Sequence, residues 1–207
     1  MRHELDLQFI QSQIRKIMGD VTLPPSVMNE AISMIEVFEI KKFEQFLKAG
    51  DVCKYWGFVN SGLVRIFYFK KGKDVTEFIA PEGTAFTSIE SFFTRQPSHL
   101  IVEALEPTVI YALSKDNVDN LCDKYHEIEV TYRKIMEYSL IMSQHRADSL
   151  QFETAEEKYE RLLEKIPKVL LRVPSLYIAS YLGITPETLS RVRAKQGKPH
   201  HSKQEEE

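Results

Sequence analysis

Cysteine is scarce in this chain of 207 residues, in which only Cys53 and Cys122 are present. The two lie far apart and form no C-x-x-C pair. An iron–sulfur cluster held by thiolates needs about four such ligands. We therefore interpret both cysteines as free, buried thiols.

Long apolar runs are also missing. No window approaches the ~18 consecutive apolar residues that a membrane span needs. The N-terminal stretch, MRHELDLQFIQSQIRKIMGD, mixes charged with apolar side chains, whereas a signal peptide has an uninterrupted apolar core. We expect a cytoplasmic protein with no membrane partner.

The motifs of common enzymes and metal sites are absent. The sequence contains no G-x-x-x-x-G-K-[ST], no G-x-S-x-G and no H-E-x-x-H motif. The histidines form no ligand spacing, since His200 and His201 are adjacent in a polar tail and the others are scattered. The sequence therefore predicts no enzymatic activity, no metal site and no cofactor.

Charge is unevenly distributed, although the formal net charge is only −3. Between residues 165 and 203 the only acidic side chain is Glu187. The basic residues of the same span are Lys165, Lys168, Arg172, Arg191, Arg193, Lys195, Lys198 and Lys203. Such a cluster attracts phosphate. The alternative, a merely solvated tail, is our interpretation from Lys198 onward.

Three zones follow one another along the chain. A short amphipathic helix is predicted near Leu5–Met18, and a second short helix after LPPS. From about Phe38 to Leu113, short alternating segments rich in β-branched and aromatic residues are separated by Gly, Pro and Asn turns. This pattern predicts an antiparallel sandwich or roll. With the helices around it, the fold class is α+β.

A long helical stretch occupies the proline-free interval between Pro107 and Pro167. Within it, spacings of 4 and 3 residues alternate, which gives the 3.5-residue period of a coiled-coil seam. The positions are Ile128, Tyr132, Ile135, Ser139, Met142, Arg146 and Ser149. This face could pack on its own β domain or on a second copy, and we expect both. We predict dimer contacts at Ile128, Tyr132, Ile135, Ser139 and Met142.

A further helix is predicted after this stretch. Thr154 and Glu157 have the spacing of a capping box, and the helix should end near Ile166, just before Pro167.

The segment SLYIASYLGITPETLSRVRAK predicts two short helices around a tight turn. Gly183 can adopt positive φ in the turn. Thr185 can cap the second helix and Pro186 fits its first position. Apolar residues fall on one shared seam, at Ile178, Leu182, Ile184, Leu189 and Val192. We favour a DNA-binding helix-turn-helix over an ordinary hairpin of helices, because the outer side of the second helix is polar and its surroundings are basic.

The second helix is slim enough to enter the major groove of DNA. Glu187 would accept from cytosine N4, and Arg191 would reach guanine O6 and N7. Thr185, Thr188 and Ser190 suit phosphate or base contacts. Ser175 is predicted to cap the first helix and to place its N-terminus at the DNA backbone. Attraction for phosphate is expected from Lys168, Arg193 and Lys195, with Arg193 alternatively paired within the domain.

On these residues the chain resembles the CRP/FNR family of bacterial transcription regulators. The PETLSR run, from Pro186 to Arg191, is similar to the R-E-T-V-x-R core of that family's recognition helix. The resemblance implies a β-roll effector domain over residues 1–115, a dimerisation helix over 116–150, a helix-turn-helix domain over 151–197 and a disordered tail over 198–207. It implies a homodimer that binds double-stranded DNA.

The sequence departs from the family in two places. The G-E-L and R-[ST]-A runs that hold cyclic AMP fall on Thr87–Ser88–Ile89 and Ser98–His99–Leu100, so the carboxylate and the guanidinium are both missing. We predict no cyclic AMP binding. The candidate effector pocket is formed by Thr87, Ser88, Ile89, Arg95, Ser98 and His99. In addition, the recognition helix is followed by KPHHSKQEEE, so we expect no β-wing.

The leading hypothesis is a homodimeric, sequence-specific regulator that binds a near-palindromic operator, with an unknown small-molecule effector or none. RNA polymerase is an open candidate partner, since the sequence identifies no surface for it. The rival hypothesis is a ligand-binding signalling module whose C-terminal helical hairpin binds protein.

Overall fold

The structure is a computed structural model that describes residue 12 and residues 23–196. The helix predicted near Leu5–Met18 and the tail predicted over 198–207 lie outside the described residues, apart from Ser12. The chain divides into two compact units between Ala147 and Asp148.

The first unit begins with helix α1 (Pro25–Ser33). The strands β1 (Glu36–Ile40), β2 (Gln45–Leu47), β3 (Tyr55–Ser61), β4 (Leu63–Lys70), β5 (Lys73–Pro81) and β6 (Ala85–Phe86) follow. Helix α2 (Ile89–Thr94) separates them from β7 (Ile101–Ala104) and β8 (Thr108–Ser114). All pairs are antiparallel, in sheets of order β1-β8-β3-β6 and β2-β7-β4-β5. The predicted α+β class with an antiparallel β-roll is confirmed.

The core of the roll follows from strand alternation. On β4, Val64 and Ile66 alternate toward one face and join the central cluster, which also contains Val59 and Ile110. Val59, Val64 and Ile110 have no measurable exposure. Burying each such side chain stabilises the fold by ~1.5–3 kcal/mol.

A glycine fixes the tight connection between β3 and β4. Gly62 has φ +94°, which is accessible to glycine at little cost. A Cβ at this position would lie 2.6 Å from the carbonyl oxygen of Pro107. The site therefore requires glycine both for its backbone conformation and for the close approach of the neighbouring loop.

The helical stretch after β8 is divided into two helices, α3 (Lys115–Lys124) and α4 (His126–Phe152). The helical stretch predicted over 116–150 is therefore interrupted at Tyr125, which has extended backbone angles, φ −129° and ψ 112°. Tyr125 and Lys124 both donate hydrogen bonds to the Glu30 carboxylate of α1. These bonds tie α1 to the junction of α3 and α4.

Ile128, one of the positions predicted for dimer contacts, packs within its own unit. Its side chain is only 9 % exposed and lies in a small cluster with Leu23, Val27 and Leu121. A contact between Ile128 and a second copy stays a prediction.

The second unit contains α5 (Ala155–Lys165), α6 (Val169–Arg172), α7 (Ser175–Leu182) and α8 (Pro186–Gln196). The Thr154–Glu157 capping box is confirmed, with both reciprocal hydrogen bonds present. The helix ends at Lys165, with Ile166 as its C-cap, as predicted. The core of the second unit is formed by Tyr159, Leu162, Val169, Val173, Ile178, Leu182, Leu189 and Val192.

Within the part of the chain that the structure describes, no helix combines the length and apolar character that crossing a bilayer requires.

Candidate nucleic-acid interface

The turn between α7 and α8 has the geometry predicted for a helix-turn-helix. Gly183 adopts a left-handed conformation with φ +66°, and its N–H donates to the carbonyl of Ser180. The N–H of Ile184 donates to the carbonyl of Ala179 over 3.0 Å. These two bonds satisfy carbonyls at the end of α7 that would otherwise be unpaired.

The start of α8 is also as predicted. Pro186 is its first residue, where a missing N–H has no cost. Thr185 Oγ1 accepts a hydrogen bond from the N–H of Thr188 over 3.2 Å, which is an N-cap interaction.

The two helices share a buried seam. Ile178, Ala179 and Leu182 of α7 and Leu189 and Val192 of α8 are all at most 4 % exposed. Since α8 buries this stripe, its opposite side faces solvent. Glu187, Ser190 and Arg191 lie on that exposed side.

Glu187 and Arg191 stand one helical turn apart with their charges accessible. The neighbouring Thr185 hydroxyl, the backbone N–H of Glu187 and the Arg191 guanidinium lower the pKa of Glu187 below its ordinary value. Glu187 is therefore ionised at neutral pH. Arg191 Nη2 donates to Thr188 Oγ1 over 3.2 Å. The surface carries one acceptor-only and one donor-only group, each suited to a base edge.

Ser175 is not the N-cap that the sequence predicts. The N-cap of α7 is Pro174, and Ser175 is the first helical residue, with no side-chain capping bond. The Ser175 hydroxyl instead accepts from Arg193 Nη1 over 2.9 Å. Of the two roles considered for Arg193, the structure shows the pairing within the domain. Its Nε and Nη2 atoms are buried and have no hydrogen-bond partner among the described residues.

Lys195 is paired as well, which sequence reasoning missed. Its ammonium lies 2.8 Å from the Glu156 carboxylate of α5, and this bond lowers the pKa of Glu156. One residue further, Gln196 Nε2 donates to Glu160 over 3.0 Å. Lys168, in contrast, is exposed at the N-cap of α6. No local pattern could have revealed the Lys195–Glu156 pair, since its members are 39 positions apart.

The predicted effector pocket is closed at its two anchor positions. Ser88 and Ser98 are 2 % and 4 % exposed, and their hydroxyl oxygens are 2.9 Å apart, in a hydrogen bond. Ser98 Oγ also accepts from the N–H of Leu100 over 2.9 Å. Thr87 donates to the carbonyl of Tyr55 over 3.0 Å. The hydroxyls at these positions are satisfied by the protein itself.

The other three pocket candidates are not brought to this point. Arg95 is the C-cap of α2, with φ +60°, and forms an ion pair with Asp116. Ile89 is 58 % exposed. His99 is exposed, with its ring edge-on to Tyr68. Of the residues predicted for the effector pocket, none places a charged group beside Ser88 and Ser98.

A cavity of about 560 Å³ opens nearby. Its walls come from Phe46 and Leu47 of β2, from Tyr55 of β3 and from residues 50–54 between the strands. Over the described residues, no group of three or more His, Cys, Asp or Glu side chains could hold a metal ion.

The long helix α4 has two different sides within the first unit. Tyr132 packs edge-on against Trp56, with ring centroids 6.1 Å apart, and burial raises the pKa of Tyr132 to about 12. Ile135, Ser139 and Met142 are half-buried. Apolar side chains are nevertheless left exposed on α4, at Tyr138, Leu140 and Ile141.

Comparison with known proteins finds a family match within the first unit. Residues 37–125 match the cyclic nucleotide-binding domain family. No curated protein matches the chain.

Solved structures match over most of the chain. FixK2 from Bradyrhizobium japonicum is 18% identical, with a TM-score of 0.67 over 78% of this chain and 83% of its own. The catabolite activator protein of Thermus thermophilus is 21% identical, with a TM-score of 0.54 over 89% and 88%. A structure from Eubacterium rectale, assigned to the CRP/FNR family of transcriptional regulators, is 15% identical, with a TM-score of 0.63 over 84% and 84%. Residues 37–125 thus resemble a cyclic nucleotide-binding domain, and the chain shares the fold of these three structures.

Proposed function

We propose that this chain is a sequence-specific DNA-binding transcription regulator of the CRP/FNR type, with α8 as its recognition helix. The observation that supports this most is the exposed side of α8. It presents an ionised carboxylate and a guanidinium one turn apart, on a helix whose other side is packed against α7. The major groove of B-DNA admits a helix of this kind.

Arg191 is the residue to which we assign guanine recognition, because a planar guanidinium can donate to O6 and N7 together. Glu187 accepts from cytosine N4. Thr185, Thr188 and Ser190 line the same side and suit contacts with bases or phosphates. Arg193 and Lys195 form side-chain bonds within the domain, and Lys168 is an exposed cation that suits the DNA backbone.

The functional form we propose is a homodimer. Tyr138, Leu140 and Ile141 on α4 are 45%, 73% and 52% exposed, and a second copy would remove this apolar surface from water. Dimeric helix-turn-helix proteins bind half-sites about one DNA turn apart, ~34 Å. The operator would accordingly be a near-palindrome.

The effector of this regulator is not cyclic AMP, or there is none. Where cyclic AMP binders carry Glu and Arg, this chain has Ser88 and Ser98, which hydrogen-bond to each other. A phosphate brought to this buried site would lose water and find no cation, which is costly. Arg95 is directed to Asp116 and does not replace the missing guanidinium.

DNA binding and the rival function, a protein-binding helical hairpin, differ in their response to salt. We would measure the affinity for a mixed-sequence duplex by fluorescence anisotropy over a series of salt concentrations. DNA binding predicts a steep loss, with a log–log slope of about −0.9 for each phosphate neutralised. Absence of duplex affinity at low salt would contradict the proposal.

A matched pair of variants localises the binding. Arg191→Ala should weaken duplex binding. Arg133→Ala removes the same charge from α4 in the other unit, where Arg133 pairs with Glu137, and should leave binding unchanged. Equal effects of the two variants would show that total charge, and not α8, determines affinity.

A further inference from the structure

Three side chains at the start of α8 form a chain of hydrogen bonds. Arg191 Nη2 donates to Thr188 Oγ1 over 3.2 Å. Thr188 Oγ1 and Thr185 Oγ1 are 3.2 Å apart, in a hydrogen bond, and Thr185 Oγ1 also accepts the Thr188 N–H over 3.2 Å.

Thr188 Oγ1 can only be the acceptor in its bond with Arg191, because a guanidinium only donates. Each threonine hydroxyl has one proton to give, and either one can donate to the other. Thr188 therefore accepts from Arg191 and is itself held by Thr185.

We propose that Thr188 is a positioning residue that sets the base preference of Arg191 through this chain. The proposal rests on the DNA-binding function proposed above. An arginine on a helix surface samples many rotamers, and ordering it on DNA costs conformational entropy. Thr188 holds the guanidinium before DNA arrives, so less of that freedom is lost when Arg191 meets a guanine.

Thr188 could instead contact a phosphate directly, and that role has a different signature. A phosphate contact strengthens binding to every sequence alike, because phosphates carry no sequence information. Holding Arg191 in place strengthens binding only where its guanine is present. The ratio of affinities for two duplexes therefore separates the two roles.

The test compares Thr188→Val with Thr188→Ser in the full chain. Valine has the same shape as threonine without the hydroxyl, whereas serine keeps the hydroxyl. The probes are a duplex selected from a random pool by the wild type and the same duplex with the Arg191 base pair exchanged. Should the valine variant not fold, Thr188→Ala deletes the same hydroxyl in a good helix former.

We expect Thr188→Val to lower affinity for the selected duplex by about three- to tenfold, the change typical of losing one hydrogen bond. Affinity for the exchanged duplex should stay unchanged, and Thr188→Ser should restore the wild-type ratio. In an Arg191→Ala background the valine substitution should have no further effect, because the side chain that it positions is gone.

Three results would overturn the inference. Equal losses on both duplexes would assign Thr188 to a phosphate, and full additivity with Arg191→Ala would show that the two residues act independently. A Thr188→Val variant with the wild-type ratio of affinities for the two duplexes would show that Arg191 does not depend on Thr188 for its position. In each case the proposed DNA-binding function still holds if the wild type selects a motif and Arg191→Ala alters that motif. A wild type that binds no duplex would overturn both.

Discussion

Glu156→Gln should strengthen DNA binding by releasing Lys195. In the structure the Lys195 ammonium lies 2.8 Å from the Glu156 carboxylate, and the two side chains are 71% and 42% exposed. When Lys195 leaves the Glu156 carboxylate to contact a phosphate, the net gain in DNA affinity is small, because Glu156 must then bind a cation from solution. Without Glu156, the same contact releases a condensed counterion from DNA.

The magnitude follows from counting contacts. Each lysine that gains a phosphate contact steepens the log-affinity versus log-salt slope by ~0.9, and a symmetric dimer carries the change twice, giving ~1.8. Over a fourfold rise in salt, a slope difference of ~1.8 corresponds to a further loss of affinity of about tenfold. Fluorescence anisotropy with a mixed-sequence duplex measures this slope directly.

Glu160→Gln is the matched control. It lies on the same helix and removes the same charge, but its partner is the neutral Gln196 at 3.0 Å, so no cation is released. The reasoning predicts a steeper slope for Glu156→Gln alone. Identical slopes in the two variants would refute it, because the gain would then come from lower negative charge and not from Lys195.

Three further predictions follow from other parts of the molecule. Ile141→Asp places a charge on the exposed apolar side of α4 that we assign to the dimer, so sedimentation should show monomers; a folded dimer would locate the interface elsewhere. Cyclic AMP should bind weakly or not at all by calorimetry, whereas a micromolar constant, ~−8 kcal/mol, would reveal a substitute anchor. Thr154→Ala removes the hydroxyl that accepts from the Glu157 N–H and should lower the free energy of unfolding of the second unit by ~1 kcal/mol in denaturant titration, while Thr154→Ser should retain most of it.

Local features were predictable from the sequence because their physical causes lie within a few residues. Thr185, Pro186 and Gly183 specify a cap, a first helical position and a left-handed turn, and all three are as predicted. The Thr154–Glu157 capping box is a second case. Strand alternation likewise predicted the antiparallel roll.

Features that depend on distant partners were not predictable. The periodic face of α4 did not reveal what covers it, and Ile128 proved to pack inside its own unit. The Lys195–Glu156 and Arg193–Ser175 pairs join positions 39 and 18 residues apart. Ser175 was expected to be a cap because serine favours that position, but Pro174 takes it and the helix starts one residue earlier than that prediction required.

The central claim is that α8 reads base pairs through Arg191, and selection of binding sites from a random duplex pool tests it most directly. The wild type should select a near-palindrome with half-sites about one DNA turn apart, ~34 Å. Arg191→Ala should lose ~1–3 kcal/mol on that site and relax its preference at one base pair in each half-site. An unchanged motif in Arg191→Ala would contradict the placement of α8 in the major groove in this register.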